Sequence, residues 1–189
     1  MIFIKLQTWK KLQCFTNFYA HSICYPTRIS ILTGQNSARH RTTLWIYPFD
    51  NNRSPYGPKK WNWLGLTTKS ITLPRLLKNN GYLTIHIGKG HFGPKSSEGE
   101  NPLNLGFDVN IAGGYMGKPG SYYGLDGFFH IKGKEINAVP SLTKYHNQDI
   151  YLTEALTLEA KKQIKQAVSD NKPFYLNMSL YGVHNRSIH

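Results

Sequence analysis

The densest chemical grouping in the chain is Ser22-Ile23-Cys24-Tyr25-Pro26-Thr27-Arg28, running on to Leu32-Thr33-Gly34. It sets Cys24 just ahead of a helix N-terminus, where unpaired backbone N–H groups and the helix dipole favour an anion. Arg28, one helical turn on, can fold back onto a bound oxyanion or its nucleophile with a forked set of donors. The same residues also fit a buried cysteine ahead of an ordinary helix. Further along, Gly88-Lys89-Gly90-His91-Phe92-Gly93 and Tyr181-Gly182-Val183-His184 add a lysine and two histidines. Taken singly, Lys89 reads as a surface lysine, His91 as a polar loop residue and His184 as a solvated side chain.

The elements that must position these residues follow an α/β rhythm. Residues 4–12 carry a loose helical pattern (Ile4, Leu6, Trp9, Leu12), and Phe15 to Tyr19 reads as a short strand. Thr27 to Leu32 reads as a helix, with Pro26 suited to its first turn and Gly34 to its end. Residues 35–70 hold turn residues and aromatics (Trp45, Tyr47, Trp61, Trp63) without clean periodicity, so they read as a long surface excursion. Thr72 is an N-cap, Pro74 a first-turn residue and Gly81 the stop of a next helix. Tyr82 to Ile87 is a strand bounded by Gly88, and residues 93–140, rich in Gly, Pro and Ser, read as loops. Residues 149–168 give the clearest helix, with Leu152, Ala155, Leu156, Ala160, Ile164 and Ala167 on one stripe. Phe174 to Leu180 is mostly apolar, the pattern of a strand covered on both faces. Helices alternating with strands imply a layered α/β fold, and no linker divides the chain.

Composition narrows the field. The 189 residues suit one domain able to bury about 70% of its unfolded surface. A 40% hydrophobic fraction with 13% aromatics argues against disorder, and Cys14 and Cys24 alone cannot build a disulfide scaffold or a multi-cysteine zinc site. Met1-Ile2-Phe3-Ile4 is too short for a signal-peptide core or a membrane span. The charge is +13, from 23 Lys and Arg against 10 Asp and Glu. That balance favours polyanions, but the basic residues are scattered and none sits in a nucleic-acid-binding signature, so neither a nucleic-acid nor a membrane partner is expected.

Cys24-Tyr25-Pro26-Thr27-Arg28 with Ile31-Leu32-Thr33-Gly34 resembles the signature of the formylglycine-dependent (type I) sulfatases, C-x-P-S/T/A-R. Gly81 to Gly93 resembles the strand that leads into that family's G-K-x-H-x-G turn, and Tyr181-Gly182-Val183-His184 follows the last strand where the family has another active-site histidine. Phe15 to Ala20 and Tyr151 to Glu154 are also similar. The resemblance implies an alkaline-phosphatase-like layered sheet with flanking helices. It implies that Cys24 is oxidised by a formylglycine-generating enzyme to an aldehyde whose hydrate attacks the sulfur of a sulfate ester. By the same resemblance Arg28 steadies the diol and Lys89 neutralises sulfate oxygens. His91 moves protons during elimination, and His184 contacts the ester oxygen or protonates the leaving alcohol. Asp108, in Gly106-Phe107-Asp108, reads as structural, and His86 as packed or on the opposite face of its strand. His21 and His40 match no role.

Such sulfatases use a divalent cation, usually calcium, held by hard oxygen ligands. The resemblance puts an Asp-Asp pair ahead of the cysteine, yet Met1 to Ile23 contains no Asp or Glu. It puts an Asp-Asn pair and another lysine beyond the last histidine motif. Residues 1–189 are therefore expected to be a partial, incomplete catalytic domain, with the metal-ligand strand and the C-terminal part missing and little activity alone. Substrates in this class are sulfated small molecules or polysaccharides, and the full-length family member is expected in the periplasm or secreted. Two other readings stay open: a phosphate or phosphonate monoester hydrolase of the same superfamily, and a basic polyanion-binding protein without catalysis.

Overall fold

The computed structural model describes residues 19–44, 61, 62, 64–129 and 137–182. Among these residues four α-helices, α1 (Cys24–Thr33), α2 (Ser37–His40), α3 (Leu73–Asn79) and α4 (Leu152–Ser169), accompany three strands, β1 (Leu83–Gly88), β2 (Val109–Ile111) and β3 (Phe174–Ser179). The strands form one parallel sheet in the order β2-β1-β3, with Ile85 opposite Val109 on one side and Leu176 on the other. No described helix is long and apolar enough to cross a membrane.

Local chemistry accounts for most boundaries. Thr72 caps α3, its hydroxyl accepting from the Arg75 N–H at 3.4 Å while donating to the Leu105 carbonyl at 2.5 Å. Pro74 sits in the first turn, where its missing N–H costs nothing, and Gly81 at φ +83° ends the segment. Gly34 closes α1 in the same left-handed conformation, its N–H bonded to the Ser30 carbonyl. The start of α1 differs from expectation: it begins at Cys24, not Thr27. Pro26 lies inside the first turn, where N–H groups have no helical partners anyway, so the helix extends back past it. Cys24 is therefore the first helical residue and not one ahead of the helix. Likewise α4 begins at Leu152 and not at residue 149, because Tyr151 pairs with Tyr123 in an antiparallel bridge.

Two short elements break segments expected to be irregular. Within 35–70, α2 forms a single turn because the Asn36 side chain accepts from the Arg39 N–H at 3.1 Å. Within 93–140, β2 forms against β1, and 3₁₀ turns form at Glu98–Glu100, Pro102–Leu105 and Gly124–Asp126. Three residues are too few to show strand alternation; the neighbouring strand supplies the order. β3 is half-buried throughout, not fully covered, because among the described residues it lies at a sheet edge. The helical pattern over 4–12, the Phe15 to Tyr19 strand apart from an exposed Tyr19, and Trp45, Tyr47 and Trp63 lie outside the described residues.

The sheet divides two hydrophobic clusters. Ile85 and Ile87 of β1 pack with Leu152, Ala155, Leu156 and Ala160 of α4, joined by Leu176 and Met178 of β3. Tyr25, Ile29 and Leu32 of α1 pack with Phe92, Leu105 and Phe107, joined by Tyr175 of β3. Alternation along each strand sends successive side chains to the two faces, so one strand serves both clusters.

Candidate active site

The end of β1 delivers a turn to the start of α1. Gly88, at φ +98°, lies so close to β3 that an added Cβ would stand 2.0 Å from the Ser179 carbonyl oxygen; a side chain there would force the strands apart. Lys89 follows, 1% exposed, its N–H bonded to that same carbonyl at 2.7 Å. His91 adopts φ +55°, a conformation unfavourable for a residue with a Cβ, and is held by its N–H to the Gly114 carbonyl at 2.7 Å. That strain, of order 1–3 kcal/mol, is characteristic of residues whose side chains must be aimed. Here the imidazole Nδ1 is aimed at the Cys24 sulfur, 3.5 Å away, with its ring 5.1 Å from that of Tyr25.

Arg28 completes the junction. Its guanidinium donates to the Lys89 carbonyl at 2.7 Å and more weakly to the Gly90 carbonyl at 3.5 Å, pinning the turn to α1. Burial lowers the Arg28 pKa, opposed by the charge that Cys24 would carry as a thiolate. Lys89 is more strongly affected. Its ammonium is buried without a hydrogen-bond partner among the described residues. Burial pushes its pKa down to about 8, a negative Cys24 would raise it and Arg28 lowers it further. The Cys24 sulfur is the one neighbour that favours the charged form; a desolvated ammonium beside a guanidinium is otherwise costly, and an anion seated beside both would relieve the cost.

Cys24 and Arg28 line a cleft of about 280 Å³ that also takes in His21, Thr27, Phe92, Asn177 and Ser179. Among the described residues no carboxylate lines it. Among the described residues no group of three or more His, Cys, Asp or Glu side chains can hold a metal ion. Asp108 is engaged elsewhere, 2.7 Å from the Lys78 ammonium and accepting from the Thr84 hydroxyl and N–H, which makes it structural. The described residues therefore do not fit a calcium ion, which needs several carboxylate or amide oxygens converging. What they do fit is an anion with several oxygens.

The structure thus brings Cys24 and Arg28 together with Lys89 and His91, a pair more than sixty positions further along the sequence. His184 lies outside the described residues. His86 is packed as expected, fully buried against Phe92 and Phe107. His40 is structural: its Nδ1 accepts from the Thr42 N–H, so Nε2 carries the proton that reaches the Ser30 hydroxyl at 3.0 Å. Sequence reasoning missed Asn177, a polar residue between Leu176 and Met178 of β3; that interruption was the available signal.

Comparisons with known proteins bear on the family and the fold. The sulfatase family model matches residues 3–187. N-acetylgalactosamine-6-sulfatase of Canis lupus familiaris is 25% identical, over 90% of this chain and 32% of its own length. Arylsulfatase G of Mus musculus is 29% identical, over 90% of this chain and 34% of its own. The chain thus spans about a third of the length of these curated relatives. Among solved structures, Ps i-CgsB in complex with k-i-k-neocarrahexaose superposes with a TM-score of 0.63 at 22% identity, covering 87% of this chain and 36% of that one. PsFucS1 sulfatase from Pseudoalteromonas sp. gives 0.53 at 22%, covering 88% and 35%. These likenesses show the layered α/β fold of the alkaline-phosphatase-like type, of which this chain covers part. Matched from residue 3 to residue 187, the chain belongs to the sulfatase family.

Proposed function

We propose that this chain carries the nucleophile and anion-binding side of a sulfuric ester hydrolase, acting on a sulfated small molecule or polysaccharide. One observation carries the reading: the buried Lys89 ammonium, with no hydrogen-bond partner among the described residues, adjoins Cys24 and Arg28, which line a cleft where no described carboxylate lies. A sulfate group would pair that charge, and Lys89 would stabilise the negative charge that grows on its oxygens as the S–O bond breaks. Arg28 holds the turn through the Lys89 and Gly90 carbonyls and sets the distance between Cys24 and His91. His91, aimed at position 24, is placed to take a proton from a nucleophile there and return it later. Conversion of Cys24 to formylglycine would supply an electrophilic carbon and, on hydration, the nucleophilic hydroxyl. His184 is proposed as the donor to the leaving alcohol.

The described residues supply no carboxylate set for a cation, so the chain alone is expected to bind sulfate with little turnover, as a partial catalytic domain. The test has two arms. Peptide mass spectrometry after co-production with a formylglycine-generating enzyme is expected to show the aldehyde at position 24. Titration of the purified chain with sulfate is expected to perturb Lys89 and His91. A retained thiol together with no sulfate binding would remove the reading; tighter binding and hydrolysis of phosphate esters would transfer it to a phosphate monoester hydrolase.

A further inference from the structure

On the sheet face beneath α1, the strand register places Asn110, His86 and Asn177 in one row across β2, β1 and β3. His86 is fully buried and both its ring nitrogens are engaged. Nε2 lies 3.1 Å from the Gly88 carbonyl oxygen, and Nδ1 lies 3.0 Å from the Asn177 side-chain nitrogen. A carbonyl only accepts, so Nε2 must carry the proton. Burial, helped by the nearby Arg28 charge, keeps the ring neutral. Nδ1 is then a bare lone pair that accepts from the Asn177 amide. This fixes the amide in one orientation, nitrogen toward His86 and Oδ1 turned away. Asn177 is half-buried and lines the cleft that holds Cys24 and Arg28, and its one side-chain hydrogen bond among the described residues is the one its nitrogen makes to His86.

An amide oxygen repels the oxygens of a sulfate but accepts a hydroxyl. We propose that Asn177 is a substrate-contacting residue whose Oδ1 receives a hydroxyl from the alcohol portion of the ester. His86 is the positioning residue that holds it, and the ligand class is a sugar sulfate and not a bare aryl sulfate. The inference rests on the sulfatase reading above and adds which part of the substrate the β3 wall recognises. It also accounts for His86 and Asn177 standing in register, each between two apolar neighbours in its strand.

The experiment is an NMR titration of the whole chain and of Asn177→Ala with two probes, glucose 6-sulfate and inorganic sulfate. Loss of one neutral hydrogen bond is expected to weaken glucose 6-sulfate about 3- to 10-fold in N177A and leave inorganic sulfate unchanged. In the wild-type chain, the Asn177 side-chain amide signals are expected to shift with glucose 6-sulfate and not with sulfate. The ¹⁵N pattern of His86 is expected to show the proton on Nε2. These two wild-type readouts stand even if N177A does not fold. Equal weakening of both probes, no weakening, an unmoved Asn177 amide or a proton on His86 Nδ1 would each overturn the proposal while leaving the sulfatase reading intact. Failure of the wild-type chain to bind either probe would remove both.

Discussion

Beneath α4 the sheet presents Ile85, Ile87, Leu176 and Met178 to a stripe of Leu152, Ala155, Leu156 and Ala160; beneath α1 the same strands present Thr84, His86 and Asn177. The first face is an ordinary apolar contact. The second buries hydrogen-bonded polar groups and leads into a buried lysine with no hydrogen-bond partner among the described residues. Neighbouring residues of one strand thus serve opposite ends. Ile85 and Ile87 contribute stability, whereas His86 between them, and Lys89 at the strand's end, cost stability to hold a binding geometry. The family's G-K-x-H-x-G turn sits at the exit of the polar face, where strand ends in parallel sheets open a crevice.

The comparison breaks most visibly if the apolar face is cut. Leu156→Ala is expected to lose about 2–5 kcal/mol, a large share of the roughly 5–15 kcal/mol of a typical domain, measured by urea unfolding. Sulfate affinity of the molecules that remain folded is expected to stay the same. An equal loss in affinity would mean the faces are not separable.

Lys89 offers the opposite sign. Its folded pKa of about 8 lies below the ordinary 10.5, so between those values the unfolded chain holds more protons. Stability should therefore rise as pH climbs from about 8 to 10.5, by about 3 kcal/mol at most. Lys89→Met is expected to flatten that rise, to raise stability at neutral pH by part of the same amount, and to abolish sulfate binding. Destabilisation with binding retained would show that Lys89 is a structural lysine.

His86 governs the acid side. Burial, then the charge of Arg28, lowers its pKa from 6.5 to about 3, so the unfolded chain takes up a proton that the folded one refuses. Stability is expected to fall as pH drops below 6.5, by up to about 1.4 kcal/mol per pH unit, before the carboxylates titrate. A flat profile from pH 6.5 to 5 would contradict the buried neutral ring. The smallest effect belongs to the rim. Asp108→Asn removes the charge from a partly exposed pair with Lys78 and is expected to cost about 0.5–1 kcal/mol without altering the cleft.

Legibility in the sequence followed how local the cause was. Thr72, Pro74 and Gly81 define α3 by short-range capping chemistry, and the stripe from Leu152 to Ala167 defines the buried side of α4. α2 and β2 escaped because an Asn36 cap and a neighbouring strand create them, not a periodicity of their own. Cys24, Arg28, Lys89 and His91 stood out through resemblance to family motifs. Their contact, like the His86–Asn177 pair across 91 positions, depends on strand register that no local pattern encodes.

The central claim is that the junction of β1 and α1 is built to receive a sulfate group. Its most direct test is the Lys89 pKa, read from the Cε resonance of the purified chain with and without saturating sulfate. The account requires a value near 8 alone and a clear rise when sulfate pairs the ammonium. A value near 10.5 in the free chain, or one that sulfate leaves unmoved, would contradict it.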